Sequence, residues 1–285
     1  MTTTRFALRT MRPRDPAQPH RASSPLEAFF DLVFVVAVSL ASGQLHHHET
    51  SGDLLGGVIA YLMVFFAIWW AWMNFTWFAT SFDVDDWLYR LMTIVQMGGA
   101  LVMAAGAPAA MNEGDFRLLV VGYLIMRLAL VPQWLRAAAQ SADYRRTALS
   151  YAVGIVVVQA LWVAWLWLPG ELRPWVFLPL VVLELLVPVV AERRQRRTPW
   201  HPEHIAERSG LFTLIVLGES VLASTNAVVD AVDHVEHLGT LVGIAACGLV
   251  LAAWLQATLP TAAVLMVAVV VTLEISRRSD RAVEG

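Results

Sequence analysis

The sequence contains no lysine and only one cysteine, and each shortage excludes a class of chemistry. All 20 basic residues are arginines, so there is no Schiff-base lysine for retinal or pyridoxal phosphate and no Walker lysine for a nucleotide. Cys247 alone supports neither an intrachain disulfide nor a CxxC redox pair nor a zinc-thiolate cluster. The net charge of −3 gives no basis for nucleic-acid binding. We therefore predict no cofactor, no metal site and no nucleic-acid partner.

Charged residues are also scarce. They make up 15% of the 285 residues, whereas 58% are hydrophobic, and the mean hydropathy is +0.59. Soluble domains contain about 25% charged residues, so this composition argues against a soluble globule and excludes a disordered chain. We predict a polytopic membrane protein whose main partner is the lipid bilayer.

Apolar runs close to the ~20 residues that cross a bilayer recur from Leu26 onward. They lack the period-two alternation of barrel strands and predict an all-α transmembrane bundle of about eight or nine helices. The predicted spans are 26–45, 54–76, 87–107, 116–134, 148–168, 174–191, 209–228, 238–255 and 259–275. We expect three regions: a disordered Arg/Pro-rich tail (1–25), the helical domain (26–276) and a short polar tail (277–285).

Arginines and tryptophans predict how the spans sit in the bilayer. Arginines concentrate in the tail, after the fourth span and after the sixth span, and the positive-inside rule places these segments and the N-terminus in the cytoplasm. Nine spans would put the C-terminal arginines outside, so the number of spans after residue 238 stays open. Eight tryptophans near span ends predict an interfacial belt: Trp69, Trp70, Trp72, Trp77, Trp162, Trp165, Trp167 and Trp175.

Two carboxylates open the first span, in L-E-A-F-F-D-L-V-F. Glu27 and Asp31 are four residues apart and share a helical face. Like charges at this spacing repel, which indicates a shared proton or a bound cation. For Glu27 an interfacial helix start with Ser24 as N-cap is an equal alternative. Asp31 lies a turn deeper, where a charge costs about 2.5–3.5 kcal/mol, and we therefore interpret it as functional.

An acidic loop separates the second and third spans, in F-D-V-D-D-W-L-Y-R-L. One interpretation of Asp83, Asp85 and Asp86 is a capped helix start in which Asp86 pairs with Arg90. A divalent-cation site of oxygen ligands and a D-x-D-D acid, as in class II terpene cyclases, are the alternatives. Four residues make a weak motif, so the cyclase alternative is the least favoured.

Further charges lie inside later spans. Arg127 and Glu184 occupy the middle of the fourth and sixth spans and form a candidate buried ion pair. Glu207 and Arg208 mark the start of the seventh span, and Glu219 follows Arg208 by about three helical turns on the same face.

We expect Asp31 and Glu219 to line one polar cavity between the first and seventh spans. The H-x-E-H spacing just before the seventh span matches no zinc-protease motif, and an amphipathic interfacial turn is favoured over a metal site.

Three segments resemble, in this order, the bacterial low temperature requirement A family: L-E-A-F-F-D-L-V-F-V-V-A-V, F-D-V-D-D-W-L-Y-R-L and W-H-P-E-H-I-A-E-R-S-G-L-F-T-L-I-V-L-G-E-S-V-L-A. The resemblance covers roughly residues 21–255 and implies a multi-pass protein of the bacterial cytoplasmic membrane, named for growth in the cold, without implying an activity. Family chains usually carry further helices after the segment that matches 238–255, so this one is shorter at its C-terminal end. The resemblance implies that the motif positions here are Glu27, Asp31, Asp83, Asp85, Asp86, Arg90, Glu207, Arg208 and Glu219.

Together these features predict a proton- or cation-linked transporter or channel-like protein that uses intramembrane carboxylates, with a small ion or a lipid-like molecule as ligand. Two alternatives stay open: an intramembrane enzyme acting on a lipid or isoprenoid, and a non-catalytic scaffold or sensor in cold adaptation. The sequence leans against an enzyme. It does not fix the oligomeric state, and a homo-oligomer is one candidate.

Overall fold

The computed structural model describes residues 8–15, 18, 23–51, 53–193 and 196–233, which contain seven α-helices. The helices are α1 (Pro25–Ser51), α2 (Leu54–Ser81), α3 (Trp87–Asn112), α4 (Arg117–Gln140), α5 (Arg145–Trp165), α6 (Arg173–Arg193) and α7 (Pro202–Asp233). The first six are long and apolar enough to cross a bilayer. The described part of the chain is thus predominantly helical, and the chain is a multi-span membrane protein. The expected count of eight or nine spans is not confirmed, because residues 238–275 lie outside the described residues.

The chain divides into two compact units, Met1–Leu217 and Gly218–Gly285, and all contacts given below lie within the first. Within it, α1 packs on α2 and α3, α4 packs between α3 and α5, and α6 packs on α5. Helix α2 also contacts α3 and α4. This position lets α2 reach side chains from several other helices.

Glycines allow α3 and α4 to approach closely. A Cβ atom on Gly99 would lie 2.8 Å from the carbonyl oxygen of Gly122, and one on Gly106 would lie 3.0 Å from the Cα of Leu119. Small residues at such contacts let two backbones meet inside a membrane. The turn between these helices contains Gly114 at φ +66, a conformation that glycine adopts without strain.

The tryptophans form an interfacial belt only in part. Trp167 and Trp175 are 80% and 79% exposed, as expected for side chains at a bilayer surface. Trp70, Trp72, Trp162 and Trp165 are instead buried. The expectation was wrong for these four because their indole N–H groups donate hydrogen bonds within the protein, to Glu184, Asp31 and the Arg173 carbonyl.

The N-terminal segment lies across one end of the helices. Arg12 and Pro13 (β1) pair antiparallel with Phe82 and Asp83 (β2), and the Met11 side chain is only 1% exposed. Residues 9–15, 81–90, 136–147 and 196–208 contact one another here, and we call this the arginine-rich end. This pairing satisfies backbone polar groups of the segment, and the expected division into three regions stays a prediction.

Candidate functional site

Asp31 forms a buried ion pair with Arg208. The Arg208 Nη2 donates to Asp31 Oδ1, and its Nε lies 3.3 Å from Oδ2. The Trp72 Nε1 adds a hydrogen bond of 2.6 Å to Oδ1. Asp31 and Arg208 are both 0% exposed, so α1, α2 and α7 meet at a charge pair that excludes water.

Aromatic rings surround the Arg208 guanidinium. Its Cζ lies 6.0 Å from the ring centre of Phe30, 5.6 Å from Trp72 and 5.4 Å from Phe75. Rings at such distances attract a cation electrostatically, which offsets part of the cost of removing Arg208 from water.

Glu27 and His204 form a second contact between the same two helices. The His204 Nε2 lies 3.4 Å from Glu27 Oε1, and both side chains are buried. Glu27 also accepts from the Ser24 N–H at 2.7 Å, while Ser24 Oγ accepts from the Glu27 N–H at 3.3 Å. This reciprocal arrangement is a capping box, so Glu27 both caps α1 and faces α7.

The two contacts are in register. Glu27 and Asp31 are one turn apart on α1, and His204 and Arg208 are one turn apart on α7. We call these four residues the α1–α7 cluster. Two buried acids therefore face two basic side chains, one of which is a histidine that can gain or lose a proton near neutral pH.

Glu184 is the centre of a second buried site. Its Oε1 accepts hydrogen bonds from Tyr123 Oη (2.7 Å), Gln159 Nε2 (3.1 Å) and Trp162 Nε1 (3.2 Å). Its Oε2 accepts from Arg127 Nη2 (2.9 Å) and Trp70 Nε1 (3.0 Å). The structure thus brings together both members of the candidate ion pair.

The Glu184 site is tightly packed. The side chains of Arg127 and Glu184 are 1% and 0% exposed, and the donors come from α2, α4 and α5. A neighbouring cavity of about 20 Å³, bordered by Tyr123 and Trp162, has room for about one water molecule. This geometry stabilises a buried charge pair.

Glu192, two turns further along α6, is a third buried carboxyl group, and it is 4% exposed. Its Oε1 accepts from Trp77 Nε1 (3.1 Å), Tyr151 Oη (2.8 Å) and Thr198 Oγ1 (2.6 Å). Thr198 belongs to the segment 196–201, which we call the α6–α7 connector. All three donors are neutral.

The acidic loop forms ion pairs different from those expected. Arg90 binds Asp85, with nitrogen–oxygen distances of 2.7 and 2.8 Å at the surface, whereas Asp86 binds Arg136 of α4. Asp86 does cap α3, since its Oδ1 accepts from the Tyr89 N–H at 3.0 Å. The expected Asp86–Arg90 pair was wrong because Asp86 turns inward as the N-cap and meets α4.

Charge pairing lowers the pKa of both loop carboxyls outside the spans. The hydrogen bond from Arg90 is the main reason that the pKa of Asp85 lies below its ordinary value. Burial alone would raise the pKa of Asp86, but hydrogen bonds from Arg136 and from the Tyr89 and Arg9 backbone outweigh it, so the pKa of Asp86 is lowered. Both carboxylates are therefore held in ion pairs with arginines.

The remaining motif positions contribute less to these sites. Glu207 is exposed on α7, 3.5 Å from the Ser23 N–H. Asp83 lies in β2, and the side chains of Asp83 and Glu219 fall outside the described residues, so the expected Asp31–Glu219 cavity is not tested. No group of three or more His, Cys, Asp or Glu residues within the described part of the chain could hold a metal ion.

The sequence reasoning missed several members of these sites. Two of them could have been found from the sequence, because polar side chains inside spans usually have a partner or a function. Gln159 is a polar residue inside an apolar run, and Glu192 is an acid at the end of a span. The pairing of Arg208 with Asp31 had no local signal, since 177 positions separate the two. The donor tryptophans were taken for interfacial ones, since an amphipathic indole suits either place.

Comparison with known proteins gives a consistent picture. The chain is 30% identical over 212 residues to an uncharacterized protein of Rhizobium meliloti (strain 1021), an alignment that covers 71% of this chain and 50% of the relative. The chain therefore spans about half the length of that curated relative. No solved structure matches it. Residues 22–273 match the family model described as bacterial low temperature requirement A protein (LtrA), and the chain belongs to this family.

Proposed function

We propose that this chain is a proton-linked membrane transporter or channel-like protein in which the α1–α7 cluster responds to the proton. The observation that carries the proposal is the register of two buried acids on α1 with a histidine and an arginine on α7. Such groups are costly inside a membrane and are retained where they pair or serve a purpose.

Charge balance supports a proton as the coupling ion. Glu27 and Asp31 contribute −1 each and Arg208 contributes +1, so the cluster has a formal charge of −1 when His204 is neutral. Protonation of His204 brings that charge to 0. A neutral cluster is cheaper to bury than a charged one, so proton uptake favours the packed arrangement of α1 against α7.

Other groups near the cluster leave this balance intact. Trp72 of α2 is a neutral donor to Asp31, and Glu207 faces outward from α7.

The enzyme alternative has little support from the described residues. Asp85 and Asp86 are held by Arg90 and Arg136. The hollow beside Arg136 measures about 10 Å³, which is far too small for an isoprenoid. A scaffold or sensor role in the cold would be favoured instead if the protein moved no protons.

Proton flux into liposomes tests the proposal. We expect proteoliposomes with an internal pH-sensitive dye to acidify faster after an external acid pulse than protein-free liposomes. His204→Gln should slow the flux about tenfold or more, since a proton-transfer group contributes at least that much.

His48→Gln is the matched control, because His48 lies 3.8 Å from Asp53 at the opposite end of α1, and it should keep the wild-type rate. Equal rates with and without protein, or a wild-type rate in His204→Gln, would contradict the proposal.

A further inference from the structure

Two carboxyl groups on α6 have similar hydrogen-bond partners, but only one of them is paired with a cation. Glu184 and Glu192 each accept from a tryptophan of α2 and from a tyrosine. Glu184 also binds Arg127. Glu192 has only neutral partners among the described side chains. A buried carboxylate without a cation is costly, so Glu192 requires another way to lose its charge.

The two groups also differ in how their oxygens are used. Five donors divide between Oε1 and Oε2 of Glu184, which suits an anion whose charge is shared by both oxygens. All three donors to Glu192 converge on Oε1. No described residue donates to its Oε2. This arrangement leaves Oε2 as the oxygen available to carry a hydrogen.

We propose that Glu192 is a proton-binding site, which takes a proton from water on Oε2 and returns it to water at the arginine-rich end. Glu192 is the penultimate residue of α6, so it lies close to the end of the span. Thr198 ties it to the α6–α7 connector, and the Thr147 Oγ1 holds that connector by donating to the Arg196 carbonyl at 2.7 Å.

The charged and titratable groups around Glu192 are consistent with this role. Tyr151 of α5 is the titratable side chain within hydrogen-bond distance, and the facing residue of α2 is the neutral Trp77. From the connector, Arg196 turns away to Asp143 at 3.0 Å and lies 5.0 Å from the Tyr144 ring centre. Arg193 on α6 is exposed and Arg197 is half-buried, and neither forms an ion pair with Glu192.

The inference extends the proposed function by naming a residue that binds the proton, but proton occupancy can be measured without transport. The probe is the infrared C=O stretch of a protonated carboxylic acid, recorded on purified protein as the pH is raised from neutral to alkaline. We expect the wild-type protein to show this band. Glu192→Gln should remove the band.

Glu184→Gln is the matched control and should keep the band, since Glu184 is an anion paired with Arg127. If Glu192→Gln fails to fold, Thr198→Val gives an independent readout. The Thr198 hydroxyl favours the anion by donating to it. Its loss should therefore shift the pH at which half of the band remains to a more alkaline value.

A band unchanged by Glu192→Gln, or a midpoint unchanged by Thr198→Val, would overturn the inference. Proton flux that survives in Glu192→Gln while the band disappears would confirm the binding site and separate it from the transport step. Loss of the band in Glu192→Gln together with no flux in the wild-type protein would contradict the proposed function alone.

Discussion

Arg208 reaches Asp31 across 177 positions of sequence and places its Nε 3.3 Å from the Asp31 Oδ2. The pair joins the first turns of α7 to the second turn of α1, and neither side chain is exposed. Since two rigid helices hold the two charges, the loss of either one leaves the other buried without a partner.

Asp31→Asn should therefore lower the free energy of unfolding by about 3–5 kcal/mol, because it strands the Arg208 charge. Denaturation of the purified protein in mixed micelles measures this value. Asp85→Asn is the control, since both side chains of the Asp85–Arg90 pair are 59% exposed and such pairs contribute about 0–1 kcal/mol. Equal losses in the two variants would contradict the role of the buried pair.

The Glu184 site should show strong coupling between its members. Glu184→Gln leaves Arg127 buried and unpaired, with an expected loss of about 3–5 kcal/mol. Adding Arg127→Met should restore much of that loss, because it removes the stranded charge. A double-mutant cycle of unfolding free energies measures the recovery, and additive losses would show that the two residues act independently.

Acid should weaken the contact between Asp86 and Arg136. The folded-state pKa of Asp86 lies below its ordinary value of 3.8, so its stabilising charge is fully present above that pH and is lost as the pH falls through the lower, folded-state value. Asp86→Asn keeps a good N-cap residue and removes only the charge. The stability gap between the wild type and this variant should therefore narrow below pH 3.8. A gap that stays constant in melting experiments across this range would contradict the assignment.

Adjacent glycines on α3 should respond oppositely to alanine. A Cβ on Gly99 would lie 2.7 Å from Met126 Cγ, whereas nothing lies within 4 Å of one on Gly98. Gly99→Ala should destabilise by about 1–3 kcal/mol through overpacking, and Gly98→Ala should stabilise by up to about 1 kcal/mol through helix propensity. Unfolding free energies of the two variants test this, and the same sign in both would show that α3 and α4 do not meet at Gly99.

Cysteines at opposite ends of the bundle should differ in their reactivity with an impermeant thiol reagent in intact cells. The test uses two single-cysteine variants, Arg12→Cys at the arginine-rich end and Arg117→Cys at the far end, each in a background with Cys247→Ser. Both arginines are exposed. An impermeant thiol reagent should label the Arg117→Cys protein and miss the Arg12→Cys protein, since arginine-rich segments stay in the cytoplasm. Labelling at Arg12→Cys alone would reverse the orientation.

Helix positions could be predicted well from the sequence, and helix partners could not. The first six apolar runs correspond to α1–α6, because hydrophobicity and length decide which segments cross a bilayer. Ser24 and Asp86 were expected at helix starts because capping is local. The Asp31–Arg208 pair and the donors to Glu184 depend on which helices pack together, and no spacing within one span encodes that.

Three tryptophans of α2 donate to three different buried acids: Trp70 to Glu184, Trp72 to Asp31 and Trp77 to Glu192. At about 100° per residue, Trp70 and Trp77 face α6 while Trp72 faces nearly the opposite way, towards α1 and α7. Each indole has a single donor on a rigid ring, so α2 cannot turn about its axis without breaking bonds on both sides. Helix α2 is thus held in one rotational position by buried acids on both of its sides, Asp31 on one and Glu184 and Glu192 on the other.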